Sequence, residues 1–171
     1  HGVVINPNNP TAERATAMRL REWATQLHQR NGVLLVDEAF MDATPGDSLS
    51  DGFLTADGSA AAPENLLVLR SFGKFFGLAG VRLGFVLAHP MWLARLQPWC
   101  ALWQISHPAQ WFGERALADC NWQQMQTRRL RQQADQLQLL VRRCWPSANV
   151  TGTALFVTLQ NPQDDLFSIF M

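Results

Sequence analysis

The chain has 171 residues, 47% of them hydrophobic, and its 14 acidic residues balance 14 basic ones. That length supports one core of ordinary size, and zero net charge speaks against nucleic acid or an anionic membrane surface as a partner. No apolar run reaches the roughly 20 residues of a membrane span, and the opening "HGVVINPNNP" reads as a strand and a turn rather than a signal peptide.

In chain order the first element is the apolar run "GVVI", ended by the turn-forming "NPNNP". Thr11 is placed to cap a helix that runs to about Arg30. In it Ala17, Leu20, Trp23, Ala24 and Leu27 share one stripe, and Asn31-Gly32 supplies the stop. "VLLV" follows, with "DEAF" directly behind it. Residues 41–64, rich in Asp, Ser, Gly, Ala and Pro, read as a loop with one short helical turn. "LLVLR" and "LGFVLA" are the third and fourth apolar runs. Continuous apolar strands separated by helices or long loops predict an α/β fold with a mostly parallel sheet buried on both faces; the direction of the fourth strand stays open.

From Pro90 the chain reads as mostly helical, with Ser106 as a cap and a long helix over Asn121 to Trp145. Its Trp122, Met125, Leu130, Leu137, Leu140, Val141 and Cys144 form an apolar stripe, read as a packing face. "TALFVTL" predicts a strand that opens a second, smaller unit. The expected organisation is a large unit over residues 1–120, a connecting helix over 121–145 and the start of a small domain over 146–171.

The polar residues fall in a pattern. Asn9 follows the first strand, Asp37 ends the second, and Ser71 and Lys74 follow the third. In a parallel sheet these are all carboxyl ends, the edge at which open α/β sheets bind ligands. Taken singly, Asn9 is a turn former, Asp37 a helix cap and Lys74 a surface charge. Together they deliver an amide, a carboxylate and an amine to one edge. Lys74 is also the only lysine in the chain, and an amine gives up its proton where a guanidinium does not.

Other chemistries find little support. Gly73-Lys74 has Val68 where a P-loop needs glycine and Phe75 where it needs Ser or Thr, and Gly77, Gly80 and Gly84 miss the dinucleotide spacing. Cys100, Cys120 and Cys144 are odd in number and far apart, and no Cys/His spacing resembles a metal site. The four histidines are scattered and read as structural or surface residues. A cytoplasmic location is the default expectation.

"NPNNPTA", "VDEAF" and "SFGKFFGLAGVRLGF" resemble the successive signatures of fold-type I enzymes that use pyridoxal 5'-phosphate (PLP), in the class I/II aminotransferase group. The resemblance runs from Val3 to about Leu159. Ser-Phe-Gly-Lys with two aromatics behind it is most similar to the threonine-phosphate decarboxylases of cobalamin biosynthesis. Histidinol-phosphate aminotransferases usually show Thr-Leu-Ser-Lys and Ala-Phe at that place.

The resemblance implies a three-layer PLP-dependent transferase-like large domain. It implies Lys74 as the Schiff-base lysine, Ser71 and Arg82 as holders of the cofactor phosphate, Asp37 as the carboxylate facing the pyridine nitrogen and Asn9 as the amide on the ring hydroxyl. The Asn9-Pro10 peptide bond is a candidate for the cis form. These assignments suit the residue types: a carboxylate favours a protonated ring nitrogen, a lysine both attaches and moves protons, and an arginine fork matches phosphate.

The reaction so implied is decarboxylation of L-threonine O-3-phosphate, a small phosphorylated amino acid, to aminopropanol phosphate, by a homodimer of the full-length parent. A histidinol-phosphate-type aminotransferase is the alternative. A non-catalytic binding or regulatory relative is the alternative of another class, against which the amine at Lys74 argues. Two departures stand out. Phe40 occupies the place where many relatives have tyrosine, a residue this chain lacks altogether. Family members are also considerably longer, so the chain is expected to be a fragment, the central cofactor domain, and inactive alone.

Overall fold

The computed structural model describes residues 1–55, 57–59, 61–100, 102 and 104–160. Its centre is a four-stranded sheet of β1 (Gly2–Ile5), β2 (Leu34–Asp37), β3 (Leu66–Ser71) and β4 (Gly84–Ala88), side by side in that order. The first three are parallel and β4 runs antiparallel to β3. The connector before β4 holds a single 3-10 turn, Ala79–Val81, rather than the crossover helix that a parallel return requires. That settles the direction the sequence left open.

Side-chain alternation along the strands sorts the core. Leu34, Val36, Leu66 and Val68 share one face with Leu20 and Ala24 of helix α1 (Ala17–His28), and Leu49 and Phe53 complete the cluster. Leu20, Leu34, Val36, Leu66 and Val68 are at most 1% exposed. The stripe expected of this helix is therefore its core face. Its cap is Thr16, not Thr11: the Thr16 hydroxyl accepts from Arg19 N at 3.2 Å. Thr11 is engaged one turn earlier, where it accepts from Asn8 Nδ2 at 2.7 Å and folds the segment back on itself. The stop is where it was expected, with Asn31 at φ 53° and Gly32 N donating to Leu27 O at 2.7 Å.

Burial of both sheet faces holds only at the centre. Leu67 on the opposite face is 6% exposed, but Val3, Ile5 and Val86 on the flanking strands are 73%, 45% and 37% exposed. The loop after β2 contains two 3-10 turns, Met41–Ala43 and Pro45–Asp47, where one was expected.

The second half is helical as anticipated: α2 (Pro90–Leu96), α3 (His107–Ala118) and α4 (Cys120–Cys144). Ser106 caps α3 by accepting from Ala109 N at 3.3 Å. The apolar stripe of α4 packs at its start, where Trp122 meets Phe75 and Phe76 at ring distances of 5.8 Å. Further on the packing-face expectation is not met, because Leu137 and Leu140 are 45% and 56% exposed. The strand expected from "TALFVTL" begins only at Val157: β5 (Asn149–Gly152) and β6 (Val157–Gln160) form an antiparallel hairpin. Its turn is closed by Thr153 N donating to Phe156 O at 2.8 Å. The expected small domain beyond residue 160 lies outside the described residues. Among the described residues no helix is long and apolar enough to cross a membrane.

Candidate functional site

Ile5, Asp37 and Leu69 stand abreast in the register of β1, β2 and β3. The segments beyond them therefore leave the sheet at one edge, and all five residues singled out in the sequence lie on those segments or on the return to β4. Asp37 is half-buried, and its Oδ1 accepts from Ala39 N at 2.9 Å.

Past β3 the chain makes a tight turn. Ser71 Oγ accepts from Gly73 N at 3.3 Å, which leaves the hydroxyl proton free to donate elsewhere. Arg82 sits at φ 56°, ψ 47°, in the left-handed region. A non-glycine residue there costs about 1–3 kcal/mol and persists only where the surroundings hold it. Its Nη1 donates to Ala79 O at 3.3 Å, and among the described residues the rest of the guanidinium fork has no other partner.

Ser71, Gly73, Lys74 and Arg82 line one pocket of about 290 Å³, together with Arg70, Ala79, Leu83 and Gly84. Among the described residues no carboxylate lines it. Arg70 is paired elsewhere, with Glu38 and Asp42, so Lys74 and Arg82 are the cations that give the pocket its sign. An anion with several acceptor oxygens suits it.

Gly73 is closely packed here. A Cβ at that position would lie 3.0 Å from Ala79 Cα, across the pocket wall, and push that backbone back by a few tenths of an ångström. Gly73→Ala is expected to destabilise the chain by about 1–3 kcal/mol, read as a lower denaturation midpoint; an unchanged midpoint would mean the turn relaxes freely.

Lys74 Nζ lies 5.3 Å from the centre of the Phe40 ring, a cation–π approach. The edge of that ring system meets Phe156 at 5.2 Å and 78°. The β5–β6 hairpin thus touches the wall of the site, and it also reaches the first loop, where Thr158 Oγ donates to Pro10 O. The Asn9-Pro10 peptide bond is cis, and so is Asn6-Pro7.

Of the five residues, Ser71, Lys74 and Arg82 are brought onto one pocket. Asp37 and Asn9 do not line it. Asn9 is exposed, on the neighbouring loop.

Sequence reasoning missed two things. One is Phe156, whose contact with Phe40 spans most of the chain and leaves no local signal. The other is a buried polar cluster around Glu38, which is 0% exposed. Its signal was present, since Glu38 and Arg70 are charges at the ends of otherwise apolar runs.

The family model described as "Aminotransferase class I and II" matches residues 3–166. The chain is 42% identical over 162 residues to a threonine-phosphate decarboxylase of Pseudomonas aeruginosa, covering 94% of this chain and 46% of that protein. It is 34% identical over 125 residues to a histidinol-phosphate aminotransferase of Sodalis glossinidius, covering 73% of this chain and 32% of that one. The crystal structure of histidinol-phosphate aminotransferase from Sinorhizobium meliloti, in complex with pyridoxal-5'-phosphate, has the same fold. Its TM-score is 0.81 at 22% identity, over 98% of this chain and 44% of that one. The chain thus spans less than half the length of these relatives.

Proposed function

Because the chain belongs to the aminotransferase class I and II family, we propose that it forms the central part of a PLP-dependent enzyme that decarboxylates L-threonine O-3-phosphate to aminopropanol phosphate. The pocket shared by Ser71, Lys74 and Arg82 carries the reading, in a chain that is 42% identical to a threonine-phosphate decarboxylase over 94% of its length.

The donor set fits the cofactor. Two cations without a carboxylate in the pocket lining, and a hydroxyl with its proton free, match a phosphate. The amine of Lys74 beside them matches an aldehyde. Bound PLP supplies an electron sink for the pair released at the substrate's α-carbon.

The protein's own residues do the rest. Ser71 and Arg82 would hold the phosphate. Lys74 would supply the amine that attaches to the aldehyde and, when free, moves a proton at the substrate's α-carbon. The Asp37 carboxylate would favour a protonated ring nitrogen. Asn9, on the first loop, would bond the ring hydroxyl. Phe40 offers an apolar wall without the phenol found in many relatives.

Decarboxylation and amino transfer share all of these residues. Which bond at Cα breaks would be set by how the pocket orients the substrate, so that grip would decide between them. With carboxyl-labelled L-threonine O-3-phosphate, the protein carrying this chain is expected to release labelled carbon dioxide and form aminopropanol phosphate. Amino transfer from histidinol phosphate to a keto acid, with no label released, would replace this reading by the aminotransferase one.

The division that accompanies the proposal is a cofactor-binding part over residues 1–120, a connecting helix over 121–145 and the start of a smaller unit from 146. Helix α4, Cys120–Cys144, supports it, since its Trp122 meets Phe75 and Phe76 beyond β3 and the helix also packs on the β5–β6 hairpin. The assembly is proposed to be a homodimer and the compartment the cytoplasm, the latter in keeping with three exposed free cysteines.

A further inference from the structure

We propose that the buried cluster of Glu38, Arg70 and Asp42 is the positioning device of the site, holding Asp37 and Ser71 at a fixed separation; this rests on the cofactor reading above.

Successive side chains of a strand leave on opposite sides. Asp37 and Glu38 are neighbours at the end of β2, and Arg70 and Ser71 are neighbours at the end of β3. Asp37 and Ser71 therefore belong to one side, while Glu38 and Arg70 meet on the other. Both oxygens of Glu38 are engaged there. Oε1 accepts from Leu49 N at 2.7 Å. Oε2 accepts from Ser48 Oγ at 2.6 Å and from Arg70 Nη1 at 3.2 Å. Arg70 Nη1 also donates to Ser48 Oγ at 2.9 Å, and Nη2 donates to Asp42.

The guanidinium is thus spread between two acids by its terminal nitrogens, while its buried Nε has no partner among the described residues. The cluster's geometry is set by where the two carboxylates must sit. Glu38 N donates to Leu69 O at 2.9 Å, the last rung between β2 and β3, so the cluster lies directly beneath the ends that carry Asp37 and Ser71.

Asp42 ties in a third segment, that of Phe40, against whose ring Lys74 Nζ rests. Neither strand end can slide without leaving a buried carboxylate unpaired, which is strongly unfavourable. A shift of about 1 Å in a positioned site is enough to cost about 100-fold.

The test uses the protein carrying this chain, stripped of cofactor and titrated with PLP itself. Two variants are made: Arg70→Lys, which keeps the charge and loses the fork, and the double variant Glu38→Gln/Arg70→Met, which leaves no bare buried charge at Glu38. Three quantities are read: the Kd for PLP, the induced circular dichroism of bound PLP, which reports its orientation, and the thermal midpoint of the apoprotein. Whichever variant folds is expected to bind PLP at least about 10-fold more weakly, with altered dichroism. A folded variant with wild-type Kd and dichroism overturns the positioning role and leaves the cluster a purely structural one. A wild-type protein that takes up no PLP overturns the cofactor reading, and the proposal falls with it.

Discussion

Replacing Lys74 by arginine is expected to abolish turnover in the protein carrying this chain, by on the order of 10⁴-fold or more. The substitution keeps the positive charge, so the pocket beside Ser71 and Arg82 retains its sign. It removes the one side chain in the chain that can become a free amine. The loss is therefore expected in the chemical step, with PLP still binding non-covalently through its phosphate. Borohydride reduction of the PLP-loaded wild type, followed by peptide mapping, should put the pyridoxyl label on Lys74. Label on another residue, or appreciable turnover by Lys74→Arg, removes the assignment.

Phe72→Ala is expected to have the largest effect on stability, about 3–5 kcal/mol out of the roughly 5–15 kcal/mol available to a domain. Phe72 is 1% exposed. It stacks on Phe76 at 4.3 Å and meets Phe85 edge-on at 6.4 Å. Because it stands between Ser71 and Gly73, the void it leaves would also loosen the turn that presents Lys74. A urea titration measures the first effect and PLP affinity the second. A stability loss below about 1 kcal/mol would show that the aromatic cluster closes over the gap.

The strands and helices that pack on the core were legible because each carries a continuous apolar run or a stripe such as Leu20 and Ala24. The carboxyl-end placement of Asp37, Ser71 and Lys74 followed from those runs alone. What stayed hidden depends on distant partners or on local competition. The cap at Thr16 was missed because Thr11 offers the same hydroxyl five positions earlier, and only the fold of the Asn8 turn decides between them. The exposure of Val3 and of Leu140 was not readable either, since apolar periodicity says that a face wants cover and is silent on what supplies it. Strand β5 has too polar a sequence, "NVTG", to announce itself.

The spatial order of the central strands repeats their order along the chain. This bears on how the site comes into being. Among the described strands none lies between two that precede it, so each of the four pairs at the edge of the one before it. Ser71 and Arg82 are joined by the short connector that β3 and β4 close, and closing a short loop is entropically mild. Such local pairing favours rapid folding over the search for remote partners. The pocket is therefore closed by a local ladder, whereas the contact of Phe156 with Phe40 joins residues far apart in the sequence.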